Sequence, residues 1–205
     1  MRRRAVPEQL YLALPASLDP VLRRVYAARQ VQPAELASSL SGLLPVSSLG
    51  GVEQAAEVLV DAHRRRIAIL VAGDYDADGA TATALLVGVL RAMGFARVDY
   101  LVPNRFEFGY GFSPAVAELA ATRRPGLVVT VDNGISSLEG VARAAALGID
   151  VLVTDHHLPG PELPAARAIV NPNLVAEAFE SKALCGVGVA FYLVAALARA
   201  LDRAG

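Results

Sequence analysis

The sequence has no tryptophan, one cysteine, two methionines and three histidines. A lone cysteine, Cys185, cannot close an internal disulfide, which fits a reducing compartment, so the chain is expected in the cytoplasm. It is expected as a small buried apolar residue beside Gly186. No apolar run approaches the roughly 18 residues of a membrane span, so no membrane is expected as a partner. The opening MRRRAVPEQL is basic but lacks the apolar stretch of a secretory signal. Neither charge is in excess: 19 Lys and Arg face 20 Asp and Glu, a net charge of −1. Domains that grip nucleic acid by bulk charge usually carry a basic excess. Any grip on a polynucleotide must therefore be local or lie outside this chain. Aromatic residues make up only 6% of a chain that is 54% hydrophobic. The apolar mass is aliphatic, enough for a sizeable core, and excludes disorder.

Several catalytic signatures are missing too. There is no G-x-S-x-G elbow, no G-x-x-x-x-G-K-[ST] phosphate loop, and no G-x-G-x-x-G after the first strand; GVGVAF (186–191) comes late and lacks the third glycine.

What is present alternates. Residues 1–50 read as short helices broken by turns: 18–29, opened by Asp19-Pro20, and 32–44, with Pro33 in its first turn. Residues 51–66 form an amphipathic helix with Val52, Ala55, Val58 and Leu59 on one face; His63 on it is expected at the surface. IAILVAGD (67–74) is an unbroken apolar run, as in a strand buried on both faces. Strands over 98–103, 126–132, 149–155 and 166–172 then alternate with helices over 79–93, 113–124, 137–148 and 186–205. The pattern predicts an α/β fold, a doubly wound and mainly parallel sheet flanked by helices, behind a short helical N-terminal segment. Two domains are expected, 1–50 and 51–205.

In such sheets ligands bind at the carboxyl ends of the strands. Three strands end in acid-rich turns: AGDYDADG (72–79), VDNG (131–134) and TDHH (154–157). Asp74, Asp76 and Asp78 alternate, so an extended turn projects them to one side. Close carboxylates repel unless a cation neutralises them, and oxygen ligands suit Mg²⁺, Mn²⁺ or Ca²⁺. An EF-hand loop fails, because position twelve is Leu85 where a glutamate is needed. The plain alternative is a solvated acidic turn capping the next helix. Asp132-Asn133-Gly134 alone reads as an ordinary turn. His156 and His157 are adjacent and need different roles, one on a metal and one toward a substrate, unless both are satisfied core or surface histidines. Imidazole among carboxylates shifts the preferred ion toward Mn²⁺.

DYDADGATATA (74–84), VPNRFEFGYG (102–111), VTVDNGISS (129–137) and VTDHHLPG (153–160) resemble, in order and spacing, the four motifs of the DHH phosphoesterase family. VNPN (170–173) and CGVGVAFYL (185–193) further resemble its bacterial branch of 5′→3′ single-strand-specific DNA exonucleases. The resemblance implies two divalent cations, Mn²⁺ or Mg²⁺. Asp74 and Asp76 would bind one, Asp78 and His156 the other, and Asp132 would bridge them. It implies that His157 faces the scissile phosphate, that Asp155 orients its neighbours, and that Arg105 and Asn104 meet phosphate oxygens. Single-stranded DNA is the implied substrate, in DNA repair and recombination, with a single-strand-binding protein and a helicase as partners. It also implies a further ligand aspartate, a second core domain and an OB-fold beyond Gly205, so that this stretch alone is expected to cut little.

Overall fold

Ile69–Gly73 (ILVAG) forms strand β1 and Leu127–Val131 (LVVTV) forms β3, each buried along its whole length. Such runs cannot alternate with water-facing residues and must lie inside a covered sheet. β2 (Val98–Leu101), β4 (Asp150–Thr154) and β5 (Ala168–Val170) complete it in the order β2-β1-β3-β4-β5. Every pairing is parallel, as the alternating sequence predicts.

This computed structural model describes residues 5–36, 39–175 and 177–204. The chain divides into two compact units, Met1–Leu44 and Pro45–Gly205. The first contains α1 (Glu8–Ala13), unforeseen from the sequence, and α2 (Pro20–Ala28), whose start is capped by the Asp19 carboxylate accepting from Val21 N at 2.8 Å. The single helix expected over 32–44 is not formed. Pro33–Leu36 and Leu40–Gly42 are 3-10 turns, and residues 37–38 lie outside the described set. Serine hydroxyls compete there with helical bonding, and Ser39 and Ser41 bond each other at 2.7 Å.

In the second unit, α8 (Gly186–Ala204) packs on both α3 (Val52–Arg64) and α4 (Ala77–Ala92), while α6 (Pro114–Ala121) packs on α7 (Leu138–Ala146). Leu70, Ala72, Val128, Val151 and Val153 join α6 and α7 in one core cluster. The alternate residues Ile69, Val71, Val129 and Leu152 are also buried and face the α3–α4–α8 layer. Leu59, Leu86, Leu90, Leu193 and Leu197 of that layer are fully buried. Truncating one of them to alanine is expected to cost about 2–5 kcal/mol.

Two single-residue expectations are corrected. His63 is half-buried and packs against Phe95, with ring centroids 4.6 Å apart. Its place in the last turn of α3 lets the ring fold under the chain instead of into water. Cys185 is exposed, because it sits immediately before α8, where the backbone turns in from the surface. Among the described residues no helix is long and apolar enough to cross a membrane.

Candidate metal centre

A parallel sheet puts all its strand carboxyl ends on one edge. The order reverses between β1 and β3: the chain leaves β1 for β2 on one side, and β3 for β4 on the other. Loops that diverge in this way leave a crevice at that edge. Asp74 follows β1 and Asp132 follows β3, so the two carboxylates flank it.

The first loop is only partly extended. Asp74 is 7% exposed, and its Oδ1 accepts from Tyr75 N at 2.8 Å. Asp76 is extended and caps α4, accepting from Gly79 N at 2.9 Å. Asp78 already lies in the first turn of α4, so the simple alternation holds for two of the three acids. Its oxygens accept from Gly186 N at 2.6 Å and Val187 N at 2.8 Å, which ties this loop to the start of α8.

Asp132 is the most constrained residue of the centre. It is 2% exposed and its φ is 62°, a left-handed conformation that side chains rarely adopt. That backbone costs on the order of 1–3 kcal/mol and persists only where surrounding structure imposes it. Asp132 Oδ1 lies 3.0 Å from His156 Nε2 but makes no hydrogen bond among the described residues. The start of α8 closes over it: a Cβ on Gly186 would stand 2.6 Å from Asp132 Oδ1, so only glycine fits. Beneath it, Asn133 Nδ2 donates to Ala72 O at 3.1 Å and Val131 O at 2.9 Å, joining the ends of β1 and β3.

Asp155, 1% exposed, organises the third loop. Its Oδ2 accepts from Ile135 N at 2.9 Å, and its Oδ1 from His156 N at 2.7 Å and His157 N at 3.0 Å. The same Oδ1 lies 2.7 Å from His157 Nδ1. The two imidazoles thus diverge: His156 turns to Asp132 and to Asp78 Oδ2, 3.6 Å away, while His157 turns to Asp155. Tyr110 Oη stands 3.3 Å from His157 Nε2.

Among the described residues, ligand atoms of Asp74, Asp76 and Asp132 lie within 4.8 Å of one another, and so do those of Asp132, His156 and His157. Asp132 belongs to both. Burial pushes its carboxyl up to about 7, helped by the charges of Asp78 and Asp76. Burial also raises Asp74, with Asp76 adding to it, against the Tyr75 N–H and Arg105. His157 is opposed by burial yet sits above the ordinary imidazole value, because Asp155 bonds it and Asp132 and Asp74 add negative charge. Tyr110 is raised by burial and by Asp155. Carboxylates that resist ionising together, with a buried oxygen lacking a donor, fit the oxygen-and-imidazole set of a divalent cation.

At the rim, Arg105 opens the one-turn helix α5 (Arg105–Phe108) and stacks over the Tyr75 ring at 4.3 Å. Asn104 caps that turn, accepting from Phe106 N at 3.1 Å. No role is expected from the sequence for Asn133, Asn171, Asn173 or Gly186. Only the glycine beside a helix start was a usable signal; the asparagines work through backbone groups that no motif displays.

The family model for the DHH family, N-terminal domain, matches residues 68–204. The chain is 58% identical over 198 residues to the single-stranded-DNA-specific exonuclease RecJ of Escherichia coli (strain K12), covering 96% of this chain and 34% of that protein. Among solved structures, an exonuclease RecJ bound to manganese superposes with a TM-score of 0.70 at 39% identity, over 78% of this chain and 40% of that one. RecJ in complex with Mn²⁺ from Thermus thermophilus gives a TM-score of 0.68 at 31% identity, over 96% of this chain and 28% of that one. The chain thus spans about a third of the length of the relatives it matches. With motifs, sheet order and family model in agreement, the chain belongs to the DHH family and carries its N-terminal domain.

Proposed function

We propose that this chain is the metal-holding part of a cytoplasmic 5′→3′ exonuclease that hydrolyses phosphodiester bonds of single-stranded DNA. The observation that carries this reading is Asp132, shared by two candidate ligand groups. Asp74, Asp76 and Asp132 would hold one divalent cation; Asp132 and His156, with Asp78 beside them, would hold the other. When bound, two such cations, Mn²⁺ or Mg²⁺, supply positive charge for the phosphoryl oxygens and an activated water. Solved RecJ structures with Mn²⁺ or Mg²⁺ bound support that choice.

The remaining residues orient and donate. Asp155 holds His157 Nδ1, and Nε2 lies 3.3 Å from Tyr110 Oη. Asp155 and the neighbouring carboxylates raise the pKa of His157 against the opposing effect of burial, which favours the protonated ring as a donor to a phosphate oxygen or the leaving oxygen. Arg105 offers a planar fork to a phosphate, pre-set by its stacking on Tyr75, and Asn104 stands beside it. The two cation positions are unequal. One has three carboxylates, whereas on the other side both Asp78 oxygens already accept N–H groups of α8. Calorimetry of the 205-residue chain with Mn²⁺ is expected to resolve one tight and one weak site; two tight sites would contradict this.

The substrate is tested in a protein of the relatives' full length that carries this segment. Mn²⁺-dependent release of mononucleotides from the 5′ end of long single strands is expected. A preference for dinucleotides over long strands would replace the exonuclease reading with that of a small-nucleotide phosphodiesterase on the same site.

A further inference from the structure

Two asparagines of the VNPN stretch touch the adjacent histidines without touching any candidate ligand atom. β5 pairs with β4, and Asp155 N donates to Val170 O at 3.0 Å, so the strand ends run side by side. Just beyond, Asn173 Nδ2 donates to the carbonyl oxygen of His156 at 2.6 Å, and Asn171 Nδ2 donates to that of His157 at 2.9 Å. The pair is interlocked, since Asn171 Oδ1 accepts from Asn173 N at 2.8 Å. Lys182 Nζ fastens the turn from outside, donating to Pro172 O at 2.7 Å and Glu177 O at 2.7 Å. The N–H groups of the same two histidines are taken by the Asp155 carboxylate. The His156-His157 backbone is thereby held on its N–H side by one carboxylate and on its carbonyl side by two amides.

We propose that Asn171 and Asn173 are positioning residues that set the direction of the two imidazoles by clamping the histidine carbonyls, and so tune the affinity for a divalent cation at His156. The proposal rests on the metal-centre reading above. Adjacent side chains of an unheld turn would exchange directions by a small backbone rotation, and ligand imidazoles depend on outer partners for their orientation. Asn171 is fully buried and Asn173 only partly, which makes Asn173 the better position to vary.

The test is Asn173→Asp, which keeps size but removes the donor, in the 205-residue chain. Gln54→Ala is the control: Gln54 Nε2 donates to Arg167 O at 2.9 Å, an amide-to-carbonyl bond at the opposite end of β5. Mn²⁺ affinity is expected to fall about 10–100-fold in Asn173→Asp and to stay within about twofold of the parent in Gln54→Ala. The second readout is the imidazole ¹H–¹⁵N spectrum of the metal-free chain. The His156 and His157 resonances are expected to shift in Asn173→Asp alone. If the parent chain binds no Mn²⁺, the metal-centre reading fails, and the imidazole spectra still decide the clamp. Unmoved resonances, or equal effects in both variants, would overturn it.

Discussion

The two ends of the sheet treat aspartate in opposite ways. At the amino end, Asp99 and Asp150 are half exposed and each meets an arginine, Arg123 at 2.8 Å and Arg167 at 3.1 Å. At the carboxyl end, Asp74, Asp132 and Asp155 are buried, and no lysine or arginine forms an ion pair with them among the described residues. Asp155 satisfies itself on N–H groups and an imidazole; Asp132 keeps a bare oxygen. One end is arranged for a stable fold in water. The other tolerates instability that only an added positive charge relieves.

The largest effect that would sharpen this contrast is at position 132. Asp132→Asn retains a residue type that tolerates the left-handed backbone but removes the carboxylate shared by the two candidate ligand groups. Its Mn²⁺ affinity is expected to fall by more than the roughly 100-fold typical of losing an outer partner. Without metal, the same variant is expected to melt higher at pH 8, by on the order of 5 °C, since a buried charge is gone. A lower metal-free melting temperature would break the claim that this end is strained by charge.

A smaller effect follows from pH. The Asp132 carboxyl titrates near 7 in the folded chain against an ordinary value of 3.8, so the folded state holds its proton more tightly than the unfolded one. That stability is fully present below about pH 4 and is lost as the pH rises through 7. His157, also raised, acts in the same direction. Between about pH 5 and 8 the metal-free chain should therefore lose several degrees of melting temperature, and saturating Mn²⁺ should abolish or reverse the slope. A flat metal-free profile would count against the assignment. The smallest effect belongs to the amino end. Asp99→Asn or Asp150→Asn should cost no more than about 1 kcal/mol and leave Mn²⁺ affinity unchanged.

The legible part of the molecule was the part written in period and in charge. The apolar runs of β1, β3 and β4 announce buried strands within two residues of their observed ends, and their acidic turns announce the edge where carboxylates gather. The helix expected over 32–44 fails because propensity summed over a window hides where hydroxyls pull the backbone out of register. One turn of helix over Arg105–Phe108 has too few residues to show any period. At the centre, Asp78 looks equivalent to Asp74 and Asp76 in the sequence, yet α8, arriving from over a hundred residues away, makes it a helix anchor as well. The demand for glycine at 186 is likewise a tertiary fact, set by the approach of Asp132.

The left-handed backbone at Asp132 separates two kinds of selection that usually act together. In a library varied at this position alone, a screen for folded chain would retain chiefly glycine, asparagine and aspartate, because they tolerate positive φ. A screen for retained cation would then choose aspartate from those three. Tolerance by shape and choice by chemistry can be read as two successive filters at one codon.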